Sequence, residues 1–166
     1  MHVFTIGHSN KPVDRLLDRL RTHGIKTLID VRSRPFSRYC PQFNRDNLAD
    51  SIPSTGAEYH FLGEFLGGKP GREYLNDEGG PDYEKMAKRP HFAHGLWLCR
   101  QAIHGGPVAL MCSEGHPAKC HRHLLIAPAL KAIGVDAVHI LMDSSLIGAD
   151  MLSQMTAAPS QIGMDL

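Results

Sequence analysis

No apolar run in this chain approaches the roughly 20 residues that cross a bilayer, which argues against a membrane-spanning segment. The opening stretch MHVFTIGHSNK also lacks a basic region followed by a signal-length apolar core. The expectation is therefore a soluble, cytoplasmic protein with no membrane partner. An excess of one charge is missing too: 18 Lys and Arg face 17 Asp and Glu, for a net charge of +1. So balanced a chain exerts no strong global pull on nucleic acid or anionic membrane, although a local patch stays open. Cysteine is scarce, with only Cys40, Cys99, Cys112 and Cys120 at irregular spacing, which excludes a disulfide scaffold. There is no internal repeat and no low-complexity block. What is present is 166 residues, 42% hydrophobic and 21% charged, the size and balance of one globular domain. That domain is placed at residues 1–156, with residues 157–166 as a flexible tail.

Short apolar runs ended by breakers read as strands at Val3–Ile6, Thr27–Val31, Glu58–Leu62, Pro107–Cys112 and Val135–Leu141. Between them lie helical patterns. The first is capped by Ser9 or Asn10, carries Leu16, Leu17 and Leu20, and stops at Gly24. Others begin at Asn44, cover about 82–88 and 91–103, and close the chain at about 149–156. A long helix is expected from Pro117 to Gly134, kinked at Pro128. Residues 63–82 hold so many Gly and Pro that they read as an irregular loop, a candidate flap. Alternating strands and helices define an α/β domain: a mostly parallel, Rossmann-like sheet of about five strands with helices on both faces.

In such a sheet ligands bind beyond the carboxyl ends of the strands, where the chain order reverses. The first strand is followed there by His8 and Ser9, and the second ends at Asp30 with Arg32 and Arg34 behind it. The fourth ends at Cys112, then Glu114 and the run Cys120-His121-Arg122. Cys112 ends an apolar strand ahead of a helix, a place where helix dipoles and a nearby His or Arg make a thiol nucleophilic. The competing reading is a small buried core residue. His8 and His121 are acid/base candidates, Asp30 a base or orienter paired with an arginine, and Glu114 either a catalytic carboxylate or compensation for a helix dipole. Arg32, Arg34, Arg38 and Arg45 alternate with Phe36, Tyr39 and Phe43, which suits phosphate contacts beside stacked bases, or else a solvated basic loop pinned by core aromatics. Cys112, Cys120 and His121 lack the tight spacing of a zinc motif, so no metal ligands are assigned, and no cofactor is indicated.

Four ordered motifs, TIGHSN (5–10), DVRSRPFSRYCPQFN (30–44), LGEFLGGKPG (62–71) and MCSEGHPAKCHR (111–122), together resemble a bacterial and archaeal family known as domain of unknown function 488. The resemblance runs from about residue 3 to 140 and implies an α/β fold with no established activity. The family pattern falls on Gly7, His8, Ser9, Asp30, Arg32, Pro35, Ser37, Gly67, Gly68, Cys112, Glu114, Cys120, His121 and Arg122. Three positions depart from it. His116 stands where members often have Asp, removing a good helix cap; Lys69 replaces a frequent Arg; and Cys40 stands where a non-thiol residue is expected.

The expected function is an enzyme-like site for a phosphate-bearing or other anionic ligand, of nucleotide or nucleic-acid class. Ser9, Arg32, Arg34, Gly67, Gly68, Cys120 and Arg122 would bind it, with His8, Asp30, Cys112, Glu114 and His121 as the reactive set. On this reading Arg32→Ala abolishes binding. The alternatives are a non-catalytic nucleic-acid-binding module, or a thiol redox or metal protein built on Cys112 and Cys120.

Overall fold

A computed structural model describes residues 1–157. Six strands form one sheet: β1 (His2–Gly7), β2 (Thr27–Asp30), β3 (Glu58–Phe61), β4 (Val108–Cys112), β5 (Asp136–Ile140) and β6 (Leu146–Gly148), in the order β3-β2-β4-β1-β5-β6. The first five are parallel, and β6 pairs antiparallel with β5. The fold is therefore α/β with a mostly parallel sheet, but with six strands instead of about five. The extra strand, three residues long, follows a turn in which Asp143 accepts from the Ser145 amide and hydroxyl. So short a segment carries no readable alternation.

Both faces of the sheet are covered, as its sequence requires. All five residues of β4 are buried, and alternation sends Val108, Leu110 and Cys112 to one face and Ala109 and Met111 to the other. The first face packs on Phe92, Leu96 and Cys99 of a long helix, Pro90–Ile103. The second packs on Leu16, Leu17 and Leu20 of α1 (Val13–Thr22) and on Leu48 of α2 (Arg45–Ser51). Cys112 thus ends up beside the chain that follows β4, not beside α1.

Several local expectations change. Neither Ser9 nor Asn10 caps α1; Pro12 holds that position without a side-chain hydrogen bond, and Ser9 sits at φ 57° in the left-handed region. Residues 63–82 contain regular pieces after all: α3 (Gly63–Leu66), a 3₁₀ turn at Arg72–Tyr74, and a bridge between Leu75 and Pro81. Two helices follow, α4 (Tyr83–Ala87) and α5 (Pro90–Ile103).

The largest difference concerns the segment after β4. No continuous helix starts at Pro117. A 3₁₀ turn, Pro117–Lys119, is followed by Cys120 in extended conformation (φ −100°, ψ 143°), then a π turn, Arg122–Ile126, and only then α6 (Ala127–Ala132). Pro128 has no N–H for the Leu124 carbonyl, so an ordinary α-helical register is interrupted there and the wider turn precedes it. His116 caps after all, its Nδ1 accepting from the Ala118 amide at 3.3 Å. The chain closes with α7 (Ala149–Ala157). The tail expected at 157–166 lies, from residue 158 on, outside the described residues.

Candidate functional site at the strand-switch point

The connection from β1 leaves toward β2 on one side, and the connection from β4 leaves toward β5 on the other. The chain order therefore reverses between β1 and β4, whose last residues, Gly7 and Cys112, are paired in register. A cavity of about 410 Å³ opens at this point. Its lining includes His8, Ser9, Arg32, Arg34, Gly68, Cys112, Glu114, Cys120 and His121 from the sequence-derived set. Asp30, Gly67 and Arg122 are not on it.

Asp30 lies fully buried behind Arg32. Its carboxylate accepts from Arg32 Nε at 2.9 Å and Nη2 at 2.6 Å, from the Arg32 amide, and from the Tyr59 hydroxyl at 2.7 Å. Arg32 also donates to the Phe43 carbonyl at 2.8 Å and through Nη1 to His8 Nε2 at 3.1 Å. Its fork is thus spent on the fold, and only an edge of it borders the cavity.

His8 stacks on Phe43 with ring centroids 4.0 Å apart. The Ser9 carbonyl only accepts, so His8 Nδ1–H donates to it at 2.5 Å, and Nε2 keeps its lone pair for Arg32. Burial first, and then the Arg32 charge, bring the His8 pKa down to about 4. His8 is therefore a neutral acceptor that steers Arg32.

Arg122, fully buried, props the loop after β4 from beneath: Nη2 donates to the carbonyls of Glu114 at 2.5 Å and Gly115 at 3.3 Å. Only a glycine fits at position 7, because a side chain there would collide with the Glu114 carbonyl and Arg122. Arg19, from α1, fastens the same corner by donating to the Gly7 carbonyl at 2.7 Å. Arg122 makes no ion pair among the described residues, so its charge reinforces the positive potential under the loop.

The extended Cys120 turns both its own thiol and the His121 ring back toward β4. His121 Nδ1 stands 3.6 Å from Cys112 Sγ and 3.8 Å from Cys120 Sγ, and Nε2 lies 3.1 Å from the Val31 carbonyl. No helix N-terminus serves Cys112, since the turn at Pro117 is only three residues long. Its thiol is instead lowered by a hydrogen bond from Cys120, against opposing burial, with His121 and the Glu114 amide assisting. Cys120, as the donor, is raised.

The rim is basic. Arg34, Lys69 and Lys119 border the cavity, whereas Glu114, exposed on the lip, is the one carboxylate among its lining residues. Ser33 and Ser37 line it as well, and Ser33 Oγ accepts from the Lys69 amide at 2.9 Å. Phe36 is 70% exposed beside Arg34, while Phe43 belongs to the core and Arg45 stacks on Phe61 at 4.5 Å. Lys119, Tyr83, Ser113 and Cys40 also reach the cavity and were not singled out from sequence as binding residues. Lys119 lies inside the last motif, where its charge was a usable signal; Tyr83 arrives from α4 with no local signal at all.

The segment 63–82 touches the cavity through Gly68 and Lys69. A Cβ on Gly68 would strike the His121 ring, with Nδ1 at 2.7 Å. Gly68→Ala is expected to cost about 1–3 kcal/mol of stability as an overpacked contact, read from urea unfolding. An unchanged midpoint would mean that this strap does not rest on His121 in solution.

The fold and the switch-point cavity define a mostly parallel α/β protein with a polar pocket lined in part by cysteines. The chain belongs to the family described as domain of unknown function DUF488, which matches residues 12–128, well over half of it. His8 and Ser9 lie ahead of the matched segment. No curated protein and no solved structure matches the chain. Among the described residues no helix is long and apolar enough to cross a membrane.

Proposed function

We propose that this protein is an enzyme-like domain that binds a phosphate-bearing or other anionic ligand, of nucleotide size, at the carboxyl ends of β1, β2 and β4. The observation that carries the reading is the convergence of Arg34, Lys69 and Lys119 on one switch-point cavity that Cys112 also lines. Asp30 is neutralised by Arg32 and withdrawn from the cavity, so the field inside favours an anion. Exposed Phe36, next to Arg34, offers a face on which a base stacks. In the metal-free protein the Cys112 thiolate is the nucleophile available to such a ligand, with the His121 ring beside it.

Calorimetric titration with adenosine 5′-monophosphate and with inorganic phosphate tests this. Arg34→Ala and Lys69→Ala are each expected to weaken binding about tenfold, the worth of one charge-assisted hydrogen bond. Neither side chain makes an ion pair among the described residues, so both variants should fold. Unchanged affinity in both would refute the anion site.

A nucleic-acid ligand is favoured by one further observation: Tyr39, three residues after the exposed Phe36, is 91% exposed, a second stacking face next to Arg38 in the chain. Single-stranded oligonucleotide that binds more tightly than the mononucleotide, and loses affinity steeply with salt, would support it. Equal affinities would confine the ligand to the cavity.

A further inference from the structure

We infer that Cys112, Cys120 and His121 form a three-ligand site for a zinc-class divalent ion, with its fourth position open to the cavity. The three donor atoms lie within 4.8 Å of one another, and among the described residues no other His, Cys, Asp or Glu joins them. Zn–S bonds of about 2.3 Å and Zn–N bonds of about 2.0–2.1 Å at a tetrahedral angle set sulfur and nitrogen about 3.6 Å apart. The two sulfur–nitrogen separations here are 3.6 and 3.8 Å.

A second observation is independent of spacing. The Val31 carbonyl only accepts, so His121 must donate to it through Nε2–H, and Nδ1 is left facing the two sulfurs. Metal-bound histidines are oriented in this way, one ring nitrogen on the metal and the other donating to a carbonyl or carboxylate. Two thiolates, one imidazole and an open position are a donor set for zinc, and three protein ligands are the mark of a site that also takes water or substrate.

The local chain conformation brings these donors together without the tight spacing of a zinc motif. The pair Cys120-His121 supplies two donors because Cys120 is extended, which an α-helix at this point would not permit. The inference rests on the proposed anion pocket only for what fills the fourth position. With the ion bound, the Cys112 electron pair is donated to the metal, and an oxygen of the anion, held by the basic rim, completes the coordination.

The test uses the whole chain, purified without chelator, equilibrated with zinc under a phosphine reductant and then dialysed. Mass spectrometric metal analysis should find one zinc per chain. Cys120→Ser and His121→Ala should weaken zinc binding at least about 100-fold, while Cys40→Ser, which changes the remaining cavity thiol, should retain the ion. Loading with cobalt(II) should give the intense visible bands of a tetrahedral thiolate site. Cys120→Asp, which keeps a ligand, should retain cobalt with weaker sulfur charge transfer, so that loss in the serine variant is not mistaken for misfolding. A wild-type chain that holds no zinc, or serine and alanine variants that hold as much as wild type, would overturn the inference. Phosphate should alter the cobalt spectrum. If cobalt binds but phosphate neither alters its spectrum nor binds in titrations, the metal site stands and the anion pocket falls; phosphate binding without any metal reverses that outcome.

Discussion

Arg32→Met is expected to destabilise the protein by about 3–5 kcal/mol, because it leaves the Asp30 carboxylate buried without its charge partner. Asp30 is fully buried at the end of β2, and the two carboxylate–guanidinium bonds, at 2.6 and 2.9 Å, form a bidentate pair. The loss is large against the 5–15 kcal/mol typical of a domain. Adding Asp30→Asn to the same chain should restore much of it, since no uncompensated charge then remains inside. Urea unfolding of wild type, both single variants and the double variant measures the coupling directly. A single variant within about 1 kcal/mol of wild type, with no rescue in the double, would show that the pair is not closed in solution. This outcome also decides how ligand binding is tested. Arg32→Ala would abolish binding through the fold whether or not Arg32 touches an anion, so Arg34 and Lys69 are the informative positions.

The location of the cavity was legible from strand ends alone. Apolar runs stopped by Gly7, by the Arg32–Pro35 stretch and by Ser113 marked where β1, β2 and β4 finish, and the crevice rule did the rest. The mostly parallel sheet was legible for the same reason. Residue type did not reveal which way a charged side chain turns. Arg122 and Arg34 are equally cationic in sequence, yet one is fully buried under carbonyl oxygens and the other lines the cavity. The segment after β4 reads as one helix in sequence because Leu124, Leu125 and Leu130 satisfy a helical period regardless of how the chain starts. The break at Cys120 and the π turn arise from Pro117, Pro128 and tertiary packing, and these conformations bring two thiols and an imidazole together. In β4 the alternation that places Cys112 on the α5 face is likewise invisible in a run apolar at every position.

Acid should unfold this protein earlier than its carboxylates alone would require. Thr5 Oγ1 meets His139 Nδ1 at 2.7 Å, His139 Nε2 meets His123 Nδ1 at 3.0 Å, and Ser153 Oγ lies 3.4 Å beyond, on His123 Nε2. This chain runs from β1 through β5 and the π turn to α7. His139 is fully buried, and burial first, with the His123, Arg122 and His116 charges behind it, lowers its pKa from 6.5 to about 3. His123 is lowered in the same direction. His8, at a separate site, is lowered to about 4, again by burial first and then by the Arg32 charge. A histidine whose folded pKa lies below its unfolded one binds its proton more weakly when folded. Its contribution is complete above pH of about 6.5 and is lost as the pH falls from there toward the folded value. At a pH of about 4.5, His139 and His8 should each cost about 2–3 kcal/mol. Unfolding free energy measured by urea between pH of about 7.5 and 4.5 should therefore fall steeply, beginning above the range in which exposed carboxylates titrate. His139→Asn should flatten that limb whatever it does to stability at neutral pH, because the slope counts protons and not contacts. An equal slope in wild type and variant would mean that the buried imidazole is already protonated in the folded chain, and that the Thr5–His139–His123 contact carries a charge.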